Sequence, residues 1–260
     1  MSYQTFTLTH EASVATITLT RPEKRNAIST QMIDELLAAL AEIEHTAARA
    51  VIITGSGSAF CSGMDLDALK NLAQQSPTQN LEDSRRMAKM FRRLWSFPKP
   101  LIAAVNGAAI AGGCGIATLC DFTIAVPEAK FGYTEVRIGF IPAIVSVFLV
   151  RQIGDKRARD LLLTGRILTA EEAKQIGLVN HIVAPDKLMD AARIYAASLI
   201  ESSPSSIERT KRLLTESVAA EVDAALARAI AENASIRGTA DFHEGLSSFL
   251  EKRRPIWPGK

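Results

Sequence analysis

The sequence predicts an α/β protein, and three observations carry that reading. Two continuous apolar runs of strand length, residues 50–54 (AVIIT) and 101–105 (LIAAV), each lead through a glycine-rich loop into a helix. The chain opens on two segments that alternate with period two, 3–8 and 13–19, separated by His10-Glu11-Ala12, as in a hairpin. From Pro185 to Lys252 the pattern is helical, with breaks at Ser203-Pro204, 216–222 and 237–239.

The elements between follow in order. The loop TRPEKRNAIS leads to Ser29, an N-cap for a helix over 32–43 whose Met32, Leu36, Leu37, Leu40 and Ile43 form one apolar stripe. After the strand at 50–54 comes GSGSAFCSGMDL, a glycine-rich loop running into a helix from about Asp65. A helix near 81–94 stops before Pro98 and Pro100. The strand at 101–105 then gives way to the Asn106-Gly107 turn and to Gly112-Gly113, which open a helix over 114–120. Further strands are expected at 122–126 and in LVNHIV, with helices over 156–164 and from the capping box Thr169-Ala170-Glu171-Glu172 to Gly177. The helical end predicts a division into a core, 1–200, and a segment, 201–260, that packs on the core or on a neighbouring subunit.

Composition narrows the function. At 260 residues and 47% hydrophobic content the chain is long enough for one large core. Thirty basic residues against 28 acidic, with no basic block interleaved with aromatics, argue against nucleic acid as the main partner. Cys61, Cys114 and Cys120 match no zinc spacing and, being odd in number, no disulfide framework. No signal peptide opens the chain and no apolar run is long enough to span a membrane, so the expected location is the cytoplasm.

The chemistry concentrates between Leu101 and Glu135. A helix start presents unpaired N–H groups, and glycine there lets a ligand oxygen approach them. No Lys or Ser/Thr follows as in a phosphate-binding P-loop, so an oxyanion fits better. Two strand-to-helix turns could converge their N–H groups on one carbonyl oxygen; the competing reading is glycine kept for close helix packing. Glu135, flanked by apolar residues, suits a general acid or base, against an ordinary loop carboxylate paired with Arg137. Nucleophilic catalysis is disfavoured: no G-x-S-x-G elbow occurs, His10, His45, His181 and His243 lie away from the glycine turns, and Cys114 reads as a small buried thiol. Lys24-Arg25 and Lys252-Arg253-Arg254 are candidate phosphate contacts or solvated faces.

These residues resemble the crotonase, or enoyl-CoA hydratase/isomerase, superfamily over nearly the whole length. RPEKRNAIS, AFCSGMDL, VNGAAIAGGCGIATLCD, FGYTEVRIGFIP and LTGRILTAEEAKQIGLVN occur in the family's order. The resemblance implies a crotonase-like spiral of stacked ββα units with a C-terminal helical trimerisation segment, a homotrimer or homohexamer, and an acyl-CoA substrate. No metal or redox cofactor is implied, coenzyme A being part of the substrate. Carried over by position, Met64 and Gly112 supply the oxyanion N–H groups and Glu135 the proton-transferring carboxyl. Lys24, Arg25, Ala27, Ala59, Ser62, Asp65 and Leu66 resemble the loops that hold the nucleotide end, and Lys252 the C-terminal lysine that approaches CoA phosphate, sometimes from a neighbouring subunit.

Two departures bear on the reaction. Two-glutamate hydratases carry a second glutamate where this chain has Gly115, and Ala111 replaces the first of three glycines. Ala143-Ile144-Val145-Ser146 replaces the glycine-rich turn after the proline. The expected activity is hydration of a 2-enoyl-CoA, straight or branched as in methylglutaconyl-CoA. Double-bond isomerisation is the alternative that one glutamate suits, and a CoA-binding paralogue without chemistry is the alternative of another class. Acyl-CoA hydrolysis or decarboxylation shares the oxyanion site but needs further polar groups, for which Arg137 and Ser146 are the candidates.

Overall fold

A computed structural model of the protein describes residues 3–260. The chain starts with β1 (Phe6–Glu11) and β2 (Val14–Leu19), an antiparallel hairpin with Glu11 opposite Val14. Pairing begins later than the alternation from Tyr3 predicts. The N–H groups of Gln4 and Thr5 donate instead to the Glu35 carboxylate, at 3.1 and 2.9 Å. Glu35 belongs to α1 (Thr30–Glu44), which Ser29 caps by accepting from Met32 N–H and which buries Met32, Leu36, Leu40 and Ile43 as the stripe predicts.

Three strand–strand–helix units follow. β3 (Ala50–Gly55) and β4 (Ala59–Cys61) lead to α2 (Leu66–Leu72) and α3 (Pro77–Trp95). β5 (Leu101–Val105) and β6 (Ala108–Ile110) lead to α4 (Gly112–Leu119). β7 (Phe122–Ala125) and β8 (Lys130–Gly132) lead, through a 3-10 turn at Glu135–Ile138, to α5 (Ala143–Ile153). The first strand of each unit joins one sheet, where β2, β3, β5 and β7 lie side by side and parallel. The second strands, β4, β6 and β8, run parallel in another sheet. The chain therefore advances one unit at a time, as a spiral.

The glycine-rich loops of the sequence thus conceal the second strands. β4 and β6 have three residues each, too few to show a period, and glycines flank them. The helix near 81–94 also starts earlier, at Pro77, because Ser76 and Gln79 form a capping box ahead of it.

Past α5 come α6 (Asp155–Thr164), β9 (Ile167–Thr169), α7 (Ala170–Gln175) and β10 (His181–Ile182). β9 closes the second sheet antiparallel to β8, and β10 closes the first beside β7. The remainder is α8 (Leu188–Ile200), α9 (Pro204–Glu216), α10 (Ala219–Ser235) and α11 (Ala240–Leu250). The break expected over 216–222 is only two residues long. Val222, Leu226 and Ala229 of α10 join the main core, while Phe242 and Leu246 of α11 pack with Leu69, Leu72 and Phe140. Among the described residues no helix is long and apolar enough to cross a membrane.

One buried side chain ties the opening loop to the first unit. Asn26, fully buried at φ +54°, accepts Arg21 N–H at 2.9 Å and donates to the carbonyls of Ser56 and Ala59 at 2.9 and 2.8 Å. Asn tolerates the left-handed region better than other non-glycine residues. Asn26→Ala strands the Arg21 donor and the Ser56 acceptor and leaves the Ala59 carbonyl only its longer 3.4 Å bond from Asn106 Nδ2, so a loss of about 2–4 kcal/mol is expected. A lower urea midpoint at unchanged m checks it.

Candidate active site

Two loops far apart in sequence zip together at the cavity. Ile28 N–H donates to the Gly63 carbonyl at 2.7 Å and Asp65 N–H to the Ile28 carbonyl at 2.9 Å, a parallel bridge between Ile28 and Met64. That pattern uses the groups on either side of Met64 and spares its own N–H. Among the described residues, Met64 N–H donates to no other group.

The second turn comes at Ala111, where the backbone adopts φ +51°, ψ −125°, and Ala111 N–H is held by the Gly132 carbonyl at 2.7 Å. Gly112 is the first residue of α4, and its N–H likewise has no acceptor among the described residues. The glycine pair divides its work. A Cβ on Gly113 would lie 2.1 Å from the Cys61 carbonyl oxygen, so Gly113 serves close packing; one on Gly112 would meet side-chain atoms alone, Ile28 Cδ1 at 3.0 Å and Phe91 Cζ at 3.7 Å.

Glu135 enters from the third unit. Tyr133, buried beside α4, shares a hydrogen bond of 2.9 Å with Thr118 and anchors the strand end that precedes it. The turn is closed by Phe140 N–H to the Glu135 carbonyl at 3.1 Å and reverses at Gly139, φ +66°. Any side chain at Gly139 would collide with α11, whose Asp241 carbonyl oxygen would be 2.3 Å from the added Cβ. Glu135 is 9% exposed and its Oε2 has no hydrogen-bond partner. Burial pushes its carboxyl up to about 7.

Met64, Gly112 and Glu135 all line one cavity of about 530 Å³, whose wall is mostly apolar. Lys24, Arg25, Ala27, Ser62, Asp65 and Leu66 line it too, on the side of the two zipped loops. The structure gives several of these residues other partners. The Asp65 carboxylate caps α2 through Asp67 N–H at 3.0 Å and pairs with Arg21 at 2.7 Å. Lys24 Nζ pairs with Asp67 at 2.9 Å on the surface.

Two expected residues stand elsewhere. Ala59 is buried inside β4, with its carbonyl taken by Asn26, and does not line the cavity. Lys252 lies beyond α11 at φ +55°, also outside the cavity; from that helix it is Phe249 that reaches the wall. Cys114 is fully buried and burial pushes its thiol up to about 12, which leaves no thiolate for attack.

The second-carboxylate position is filled rather than vacant. A Cβ on Gly115 would sit 2.7 Å from Val145 Cγ1 and 3.1 Å from Phe91 Cζ. Both side chains line the cavity; Val145 belongs to the replaced turn that the sequence points to, whereas Phe91 on α3 is one that sequence reasoning missed. Arg237 and Asn233 were also missed. They reach the wall from the end of α10, where an Arg in a helix break reads as a solvated cap. Among the described residues no group of three or more His, Cys, Asp or Glu side chains could hold a metal ion.

Fold and cavity define an α/β protein of stacked ββα units, with a mostly apolar cavity where the units' turns meet a buried, unpaired carboxyl. The chain belongs to the enoyl-CoA hydratase/isomerase family, whose profile matches residues 9–260. It is 43% identical over 243 residues to a Thermus thermophilus protein provisionally named an enoyl-CoA hydratase, covering 93% of this chain and 96% of that one. It is 34% identical over 258 residues to the 2,3-dehydroadipyl-CoA hydratase of Escherichia coli, covering 97% and 98%. Among solved structures, an enoyl-CoA hydratase/isomerase from Xanthobacter autotrophicus superposes with a TM-score of 0.89 at 32% identity, covering 96% of this chain and 94% of that one.

Proposed function

We propose that the protein hydrates a 2-enoyl-CoA thioester, with Met64 and Gly112 N–H groups holding the thioester oxygen and Glu135 as the one proton carrier. The observation that carries this reading is the meeting, in one apolar cavity, of a buried carboxyl with an unpaired oxygen and two backbone N–H groups without acceptors. Donors aimed at a developing oxyanion are each worth about 3–4 kcal/mol. In the reaction, Glu135 takes a proton from water as the water oxygen adds to Cβ. The electron pair moves to the thioester oxygen, and Glu135 returns the proton to Cα. Atoms balance with one carboxyl. Lys24 and Arg25, with Ala27, Ser62 and Leu66 beside them, line the cavity, which supports the reading that they receive the nucleotide end of CoA.

Isomerisation is the second reading, favoured by the crowding at Gly115 that excludes a second acid. The same base would remove a proton at one carbon and return it at another. Purified protein with crotonyl-CoA separates the readings: loss of the enoyl thioester absorbance with formation of the 3-hydroxyacyl product is expected. Migration of a 3-enoyl double bond without hydration would replace the first reading with the second. Binding without turnover of either ester would make the protein a CoA-binding paralogue.

We also propose assembly into trimers or hexamers, supported by exposed apolar side chains such as Leu163, Ile194, Leu213 and Leu214. A molar mass of one chain by light scattering would overturn it.

A further inference from the structure

Most of the cavity wall is apolar, but the 3-10 turn that follows α10, Ile236–Gly238, brings a buried cation to it. Arg237 is 2% exposed and Asn233 6%, and both line the cavity. Arg237 Nη2 donates to Asp83 Oδ2 at 2.8 Å, Asn233 Oδ1 at 3.0 Å and Ser84 Oγ at 3.2 Å. Its Nη1 donates to Asn80 Oδ1 and its Nε to the Asn233 carbonyl, each at 3.2 Å. The Phe140 ring stands 5.6 Å from the guanidinium carbon.

The position of this cluster follows from α3. Phe91 packs beside Gly112 and Gly115, and Ser84 lies seven residues earlier on the same helix. At 1.5 Å per residue that is about 10 Å, or two turns, along the cavity wall from the thioester end. A chain held by its thioester at Gly112 and running along α3 would meet Arg237 with its far end.

The donor count then identifies what the far end carries. A guanidinium has five N–H hydrogens, and Nη1 holds two of them against the single acceptor Asn80. Asn233 Oδ1 accepts from both Ser84 and Arg237, while its Nδ2 meets no acceptor among the described residues. The unspent capacity at the two cavity-lining residues is therefore all donor. As a pin between α3 and α10 alone, the cluster would need no charge at a cavity wall, where burying a guanidinium is costly. Arg is the residue that shares its two edges between two carboxylates, and here Asp83 occupies the Nη2 edge only.

We infer that Arg237 and Asn233 bind a carboxylate at the far end of the acyl chain, so that the preferred substrate is the CoA thioester of an unsaturated dicarboxylic acid. This rests on the acyl-CoA reading of the cavity. Calorimetric titration with saturated pairs matched in chain length, glutaryl-CoA against valeryl-CoA and adipyl-CoA against hexanoyl-CoA, tests it without requiring turnover. The carboxylated member of at least one pair is expected to bind ten- to a hundredfold tighter, the range of a charge-assisted hydrogen bond. In Arg237→Gln the ratio within that pair should fall to about one, and in Arg237→Lys it should be intermediate. Equal binding within both pairs by the wild-type protein overturns the inference. So does a wild-type ratio that persists in Arg237→Gln. Should that variant fail to fold, the wild-type ratio and Arg237→Lys decide between the same two outcomes. Hydration of crotonyl-CoA with no carboxylate preference removes this inference and leaves the proposed function standing. Failure of every CoA ester to bind removes both.

Discussion

Glu135→Gln is expected to lower kcat/KM for hydration by about 10²–10⁴-fold while leaving the fold intact, because glutamine keeps the shape of the side chain and cannot accept the water proton. The same residue sets the pH profile. Hydration begins with Glu135 as a base, and its carboxyl titrates at about 7. The rate should therefore rise with pH through about 7 and fall tenfold per unit below it. The effect on stability has the opposite sense. A folded-state value raised from 4.5 to about 7 means that the folded protein holds this proton more tightly than the unfolded chain. The favourable contribution is fully present below pH 4.5 and is lost as pH rises through about 7, a difference of roughly 3 kcal/mol at 1.36 kcal/mol per unit. Glu135→Gln removes the ionisable group, so the variant should melt higher than the wild type at pH 8 and close to it at pH 4. A variant that is inactive but not stabilised at pH 8 would show that burial does not strain this carboxylate.

Gly115→Glu, which puts a carboxylate where two-glutamate hydratases have one, is expected to damage the protein rather than to speed it. The added Cβ would be 2.7 Å from Val145 and 3.1 Å from Phe91, both parts of the cavity wall. Overpacking of this kind costs about 1–3 kcal/mol, and an unpaired carboxylate beside buried apolar side chains adds to it. Denaturant unfolding should show a loss of about 3 kcal/mol or more, with no gain in hydration. Removing the obstruction changes the expectation. In Gly115→Glu combined with Val145→Ala, part of the stability should return and hydration should exceed that of Gly115→Glu alone. If the single substitution already unfolds at the wild-type midpoint, α4 and α5 are more loosely packed than this geometry indicates.

Much of the candidate site is legible in sequence because its chemistry is local. Glycines after an apolar strand announce a helix start with free N–H groups, and Glu135 in FGYTEVRIGFIP is one carboxylate within an apolar stretch. Both end at the cavity. The N-cap signals are equally local, so Ser29 caps α1 and the capping box Thr169/Glu172 starts α7 as expected. Strands of three residues carry no period, and β4 and β6 accordingly passed for loops.

The sequence by itself determined the family, through motifs in a fixed order, and the strand–loop–helix succession, the turns at Met64 and Gly112 and the carboxyl at Glu135, since each of these is written within a few consecutive residues. Only the tertiary structure decided that Val145 and Phe91 fill the space beside Gly115, that Asp65 is committed to Arg21 and the cap of α2, and that Ala59 and Lys252 stand outside the cavity. It also decided that Arg237 lies at the cavity wall, bonded to Asp83 across 154 residues of chain. The physical reason is common to all of these. Periodicity and capping tell a helix which face to bury and where to stop, but not which partner that face will meet, and the site's shape is made of those meetings.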